Sequence, residues 1–213
     1  MKLIKYGVFT GQKNMQIDSD MLEDAILNQS KEPVFRLYGW SPQCISLGRN
    51  QKDNFIKSQD IDVVRRLTGG RALLHDNEIT YSCIFPVNYI PSGESVTLSY
   101  KFISGILINF FKTLGIELYF GENKKISTNF DYCMLISTGA DVCFKGKKFI
   151  GSAQCRKQGY ILQHGSILLD YDKIFLESLF HEKIENIISL KEIMPEITKA
   201  ELINFLSKYI QTL

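Results

Sequence analysis

The chain has 213 residues, 45% of them hydrophobic and 23% charged, with a formal net charge of +2. Length and balance fit one globular domain, residues 1–213, with room for a sizeable core; a charge this close to zero excludes a global electrostatic footprint for nucleic acid. The N-terminal MKLIKYGVFTGQK lacks the apolar run of a signal peptide, and the longest apolar helical stretch, residues 96–114, is interrupted by Tyr100, Lys101, Ser104, Gly105 and Asn109, so no membrane contact is expected.

In chain order, residues 18–30 place Met21, Leu22, Ala25 and Ile26 at helical spacing, with Asp18 or Ser19 available as N-cap. Strand-like runs follow at 34–38, 44–47, 71–74 and 79–85, the last with alternating character. Leu98, Phe102, Ile103, Ile106, Leu107, Phe110, Phe111 and Leu114 predict a long amphipathic helix that ends near Gly115. Residues 142–144 and 149–155 read as strands joined by a tight turn at Gly146, and 161–169 as another strand. Leu202, Phe205, Leu206, Tyr209, Ile210 and Leu213 predict a last helix. Strands and helices come in groups, not in βαβ alternation, which predicts the α+β class. No repeat, low-complexity tract or Pro/Gly/Ser linker interrupts the pattern.

The five cysteines, Cys44, Cys83, Cys133, Cys143 and Cys155, are odd in number, widely spaced and without a CxxC pair. Neither a disulfide framework nor a metal site is expected, and free thiols point to the reducing cytoplasm.

Two segments carry the chemistry. RRLTGGRALLHDNEITYSCIFP, residues 65–86, and GKKFIGSAQCRKQGYILQHGS, residues 146–166, each set a glycine turn, basic side chains and one histidine on short β-like runs. Glycines admit close backbone approach, and Arg66, Arg71, Lys148 and Arg156 are suited to receive negative charge or carbonyl oxygens. Two such segments facing each other would hold a small acyl group between them. In an extended run, one of Arg65 and Arg66 should point to solvent.

These segments, in this order and separation, together with WSPQCISLGRNQ at 40–51, resemble the biotin/lipoate protein ligase catalytic domain, in its lipoate-attachment branch. The resemblance covers residues 31–172 and implies a mixed, mostly antiparallel sheet backed by helices. It also implies a pocket formed by Arg66, Gly69, Gly70, Arg71, His75, Ser152, Gln154, His164 and Gly165. Ligases of this family that work alone generally have or borrow an accessory domain; residues 173–213 suffice for one or two helices, so no accessory domain is expected.

Transferase members hold the acyl group on a cysteine. One branch places it after the HG motif in a proline-cysteine-glycine context, which this chain lacks, since Pro195 is followed by Glu196. The other, which includes octanoyl-carrier-protein transferases and octanoyl amidotransferases, places it in a loop fifteen residues before the lysine of GKK. Counting back from Lys148 gives Cys133, although residues 134–139 depart from that branch's pattern. The resemblance thus implies Cys133 as nucleophile, with Cys155 in SAQCRK as rival and Cys83 and Cys143 as core residues.

Lys148 would act either neutral, through burial, or as an ion-pair partner for the thiolate. His75 and His164 would line the acyl pocket and orient the carbonyl, and amides at Gly69, Gly70, Gly151 and Gly165 would face a developing oxyanion. The donor implied is octanoyl-acyl carrier protein. The acceptors are lipoyl domains of glycine cleavage H protein or of 2-oxoacid dehydrogenase E2. No cofactor is implied. Basic spots at Lys124–Lys125, 145–148 and 156–157 would steer such acidic partners. An ATP-dependent lipoate ligase and a catalytically silent carrier-binding module are the other readings.

Overall fold

A computed structural model describes residues 1–53, 61–122, 131–135, 139 and 141–213; Lys124 and Lys125 lie outside them. Strands β1 (Lys2–Phe9), β2 (Val34–Trp40), β6 (Glu78–Pro86), β7 (Tyr119–Phe120), β8 (Val142–Phe144), β9 (Lys147–Lys157) and β10 (Tyr160–Leu168) form one sheet in the order β1-β2-β6-β10-β9-β8-β7. Only the β1–β2 pair is parallel. A small sheet sets β3 (Cys44–Leu47) between β4 (Asp62–Arg65) and β5 (Leu73–His75). Two two-residue turns make the β8–β9–β10 meander: Lys145–Gly146 and Gln158–Gly159 all have positive φ, the geometry that matches strand twist in tight hairpins.

The central strands alternate, and the alternation sorts two faces. Phe35, Leu37, Ile79, Tyr81, Cys83, Phe85, Ile161 and Ile167 pack under Ile103, Leu107, Phe110 and Phe111 of helix α2 (Val96–Thr113) and under Leu202, Leu206 and Ile210 of the C-terminal helix (Lys199–Gln211). The opposite face is covered by helix α1 (Gly11–Leu27), through Met21, Leu22 and Ala25 against Ile84 and Leu162. Beside it the small sheet packs with helix α3 (Lys173–Phe180) through Ile45, Leu47, Leu74, Leu168, Leu176 and Phe180. A one-turn helix α4 (Leu190–Ile193) precedes α5 (Lys199–Gln211).

The α+β reading holds, as does the mixed, mostly antiparallel sheet. Helix α1 begins earlier than expected, at Gly11, because Thr10 is its N-cap and accepts from Lys13 N. Asp18 is therefore no cap but a buried side chain at mid-helix. Residues 173–213 form three helical segments, not one or two. β1, β4 and β7 lie at sheet edges and carry no clean alternation.

Asp18 binds Arg36 at 2.7 Å with both side chains 2% exposed. It also accepts from Ser82 Oγ at 2.7 Å and from the Tyr38 hydroxyl at 2.9 Å. Arg36, Asn14 and several hydrogen bonds would be left around a vacant anion site if it were lost. Breaking a buried pair from one side leaves a bare charge, so Asp18→Ala should cost about 3 kcal/mol or more. For a domain of this size that is about 10 °C in Tm, read by thermal unfolding; an unchanged Tm would contradict this account.

Candidate active site

The second edge of the small sheet positions Cys133. Ala72, just ahead of β5, forms a parallel bridge with Tyr132. Its N–H donates to Asp131 O at 2.9 Å, and its carbonyl accepts from Cys133 N at 2.8 Å. The segment RRLTGGRA is thereby stitched to the cysteine loop, whose residues Cys133–Leu135 make one 3-10 turn. Cys133 is half-buried.

Lys148 lies at the start of β9, its Nζ donating to Cys133 O at 3.0 Å and pairing with Asp141 Oδ1 at 3.0 Å. The lysine is 2% and the aspartate 4% exposed. Burial pushes the ammonium down, but charge on Cys133 and the Asp141 carboxylate outweigh it and hold the lysine above its ordinary value. The ion pair that the structure forms is with Asp141, and the lysine meets Cys133 at its backbone carbonyl. Gly151 leaves room for the lysine stem: a Cβ there would lie 3.0 Å from both Lys148 Cε and Met134 Sδ.

Two cavities meet at Cys133. The inner one is narrow and mostly apolar, walled by Met15, Trp40, Leu73 and Met134, with Arg66, His75, His164 and Gly165 also on its lining. The outer cleft is more open and is lined by Gly69, Gly70, Arg71, Asp141, Lys148 and Gln154, among others. Cys133, Ser152 and Ala153 belong to both. The expected nucleophile, its lysine and all nine expected pocket residues border one or both of these spaces.

Their roles differ from residue to residue. Arg66 is buried and spends its guanidinium on Ser46 O and Oγ, Thr68 Oγ1, Gly69 O and Arg71 O, so it shapes the glycine turn from behind. Arg65 is exposed, as alternation required. Arg156 likewise binds Gly93 O and Glu94 O ahead of α2. His75 bonds Ser46 Oγ and Glu78 Oε1, each at 2.6 Å, and stacks on Trp40 at 3.8 Å. His164 bonds Thr68 Oγ1 at 2.7 Å and Asp18 Oδ2 at 3.3 Å. With both nitrogens of both rings engaged, the histidines wall the pocket and have no N–H left to orient a carbonyl. Gly165 is required by space, since a Cβ would meet Gly151 O and Tyr81 Cε1 at 2.6 Å; Gly69 borders open space.

Burial silences the rival thiols. Cys44 is pushed up to about 12, and Cys83 and Cys155 are also raised. Asp141 escaped the sequence reading because it stands outside the glycine motif. Gln163 and Tyr81 escaped it as ordinary strand residues, yet they anchor the cleft: Gln163 Nε2 donates to Tyr81 OH, and Gln154 Nε2 to Gln163 Oε1, each at 2.7 Å. Gln163 and Gln154 face each other across β9 and β10, a pairing the GSAQ…LQHGS register could have revealed. Among the described residues no group of three or more His, Cys, Asp or Glu side chains could hold a metal ion, and no helix is long and apolar enough to cross a membrane.

Residues 10–211 match the family model described as lipoyl protein ligase A/B catalytic domain. An octanoyltransferase LipM from Clostridioides difficile (strain 630) is 40% identical over 188 residues, spanning 84% of this chain and 68% of that protein. One from Staphylococcus epidermidis is 38% identical over 96% of this chain and 79% of its own length. In fold, protein Ta0514 from T. acidophilum matches with a TM-score of 0.78 at 19% identity, covering 99% of this chain and 84% of that one. A lipoate-protein ligase A bound with ATP matches at 0.73 and 20%, with 99% and 84% covered.

The His164 environment gives a pH signature. Burial outweighs the Asp18 carboxylate and holds His164 below the ordinary histidine value. An unfolded histidine protonates near pH 6.5, so between that pH and the lower folded value the unfolded chain binds the extra proton. Stability should therefore be full above about pH 6.5 and fall as pH drops through this window. Asp18 and Glu78, held low after their hydrogen bonds and charges overcome burial, add their losses only at more acid pH. Denaturant titrations at pH 7.5, 6.5 and 5.5 should show the decline, flattened in His164→Gln; equal slopes would assign the window to other groups.

Proposed function

The chain belongs to the lipoyl protein ligase A/B catalytic domain family, and on that premise we propose that it is an octanoyltransferase of lipoate biosynthesis that carries octanoyl on the Cys133 thiol. The observation that carries the reading is the place of Cys133, where an apolar inner cavity meets an open polar cleft beside a buried, charged lysine. The apolar cavity suits an unbranched acyl tail. The cleft suits the slender thiol arm of a carrier and, later, the lysine side chain of an acceptor domain. The donor is octanoyl-acyl carrier protein, and the acceptors are the lipoyl domains of glycine cleavage H protein or 2-oxoacid dehydrogenase E2.

The cycle balances without ATP. The Cys133 thiolate, paired with the Lys148 ammonium, attacks the carrier thioester; a new C–S bond forms, the carrier C–S bond breaks, and Lys148 gives its proton to the departing thiolate. Neutral Lys148 then takes a proton from the acceptor amine as that amine attacks the acyl-enzyme. The amide forms, the Cys133 thiolate leaves, and the ion pair is restored. Thioester exchange is nearly isoenergetic, and amide formation from a thioester runs downhill. The Gly69–Gly70 turn at the cleft edge supplies amides for the oxyanion.

Mixing the protein with octanoyl carrier protein and no nucleotide should add one octanoyl mass, labile to hydroxylamine. Cys133→Ser should abolish it, while Cys143→Ser and Cys155→Ser should retain it. Lys148→Arg keeps the charge but cannot shuttle a proton, so acyl-enzyme formation should fall by about 10²–10⁴-fold. Acylation that survives Cys133→Ser, or lipoate-driven ATP–pyrophosphate exchange by this chain alone, would overturn the reading.

A further inference from the structure

We infer that Glu182 is a positioning residue for the nucleophile, and that residues 181–188, which carry it, tie the Cys133 loop and Lys148 to one another; this rests on Cys133 being the acylated group. Helix α3 ends at Phe180, and His181 turns the chain with φ 54°. The turn delivers the Glu182 carboxylate to the loop ahead of Cys133. Its Oε1 accepts Asp131 N at 2.7 Å. Phe180 stacks on Tyr132 at 4.4 Å between ring centroids, and Ile184 and Ile187 enter the same apolar cluster as Tyr132 and Met134.

The far end of the same segment grips the lysine. Lys148 N donates to Asn186 O at 2.7 Å, Ile188 N donates to Lys148 O at 3.0 Å, and Lys148 and Ile187 form a parallel bridge. One short segment thus holds the backbone of the lysine by hydrogen bonds at one end and the cysteine loop by a carboxylate at the other. Burial raises the Glu182 acid and the Arg71 charge acts the other way, while its Oε2 is buried with no hydrogen-bond partner among the described residues. An unsatisfied buried oxygen calls for a specific reason. The backbone N–H of Asp131, two residues before the proposed nucleophile, provides one.

Alanine at 182 would release that N–H group and let the thiol drift from the ammonium, and the Coulomb attraction between them weakens with separation. The test follows alkylation of the Cys133 peptide by iodoacetamide against pH, octanoyl-enzyme formation, and Tm, in the full chain and in Glu182→Ala and Glu182→Gln. In Glu182→Ala the alkylation midpoint should move to higher pH, and acyl-enzyme formation should fall about tenfold or more. Glu182→Gln keeps an acceptor oxygen and should restore both to near the parent values. An alkylation profile in Glu182→Ala that coincides with the parent's, whatever happens to Tm, would overturn the inference. The alkylation arm uses no acyl donor, so it decides the positioning role separately from whether the parent protein accepts octanoyl.

Discussion

Everything in this fold is built around a polar layer that is not allowed to reach water. Strands β2, β6 and β10 present Arg36, Tyr38, Glu78, Thr80, Ser82, His164 and Ser166 on one face, all buried. Such groups are costly to bury unless each finds a partner. They do: Asp18 serves Arg36, Tyr38, Ser82 and His164, and Glu78 serves His75, Thr80 and Ser166. Since Asp18 comes from α1 and His75 from the small sheet, both elements dock on the large sheet in one place only. A buried ion pair is weak evidence for stability; here its consequence is register, and with register the walls of the inner cavity.

The reactive groups obey a different logic. Cys133 stands on a loop at the margin of that layer, held by backbone bonds to Ala72 and not by the network. Lys148 comes from β9, near the other side of the sheet, and meets the cysteine carbonyl across the cleft. The pocket is thus lined by buried side chains, while the proposed nucleophile is set by its loop's bonds to Ala72 and its partner by strand β9.

Much of this was legible in the sequence where the signal is local. Alternation located β6, strand-like runs after the Gly146 turn located β9 and β10, and apolar spacing located α2 to within a few residues. The glycine motifs located the cleft because glycines mark where backbone or a neighbour must come close, as Gly165 does. What stayed hidden was partnership over long separations. The polar residues that alternate along these strands are buried too, because the partners that satisfy them lie on α1 and the small sheet. The histidines were visible as residues of the site, but not the fact that both their ring nitrogens are already bonded, since Asp18 is 146 residues from His164 and Ser46 is 29 from His75. Asp141 carried no pattern at all; only the fold sets it beside Lys148.

That aspartate bears on how one lysine serves both half-reactions of the proposed cycle. Burial acts against the Lys148 ammonium, while the Cys133 charge, the largest influence in its favour, acts together with Asp141. Acylation converts the thiolate to a neutral thioester and so removes that largest influence, leaving Asp141 as the main opposition to burial. The ammonium is therefore a stronger acid in the acyl-enzyme than in the free enzyme, which is the direction needed to protonate a departing carrier thiolate. When the acceptor amine expels Cys133, the thiolate charge returns and draws the proton back to Lys148. In the acyl-enzyme, with Lys148 neutral, the Asp141 carboxylate can still accept an N–H from its Nζ and so hold the amine in place for the next proton. In the proposed cycle the charge gained and lost on Cys133 would thus set the basicity of its own partner, with no moving part needed.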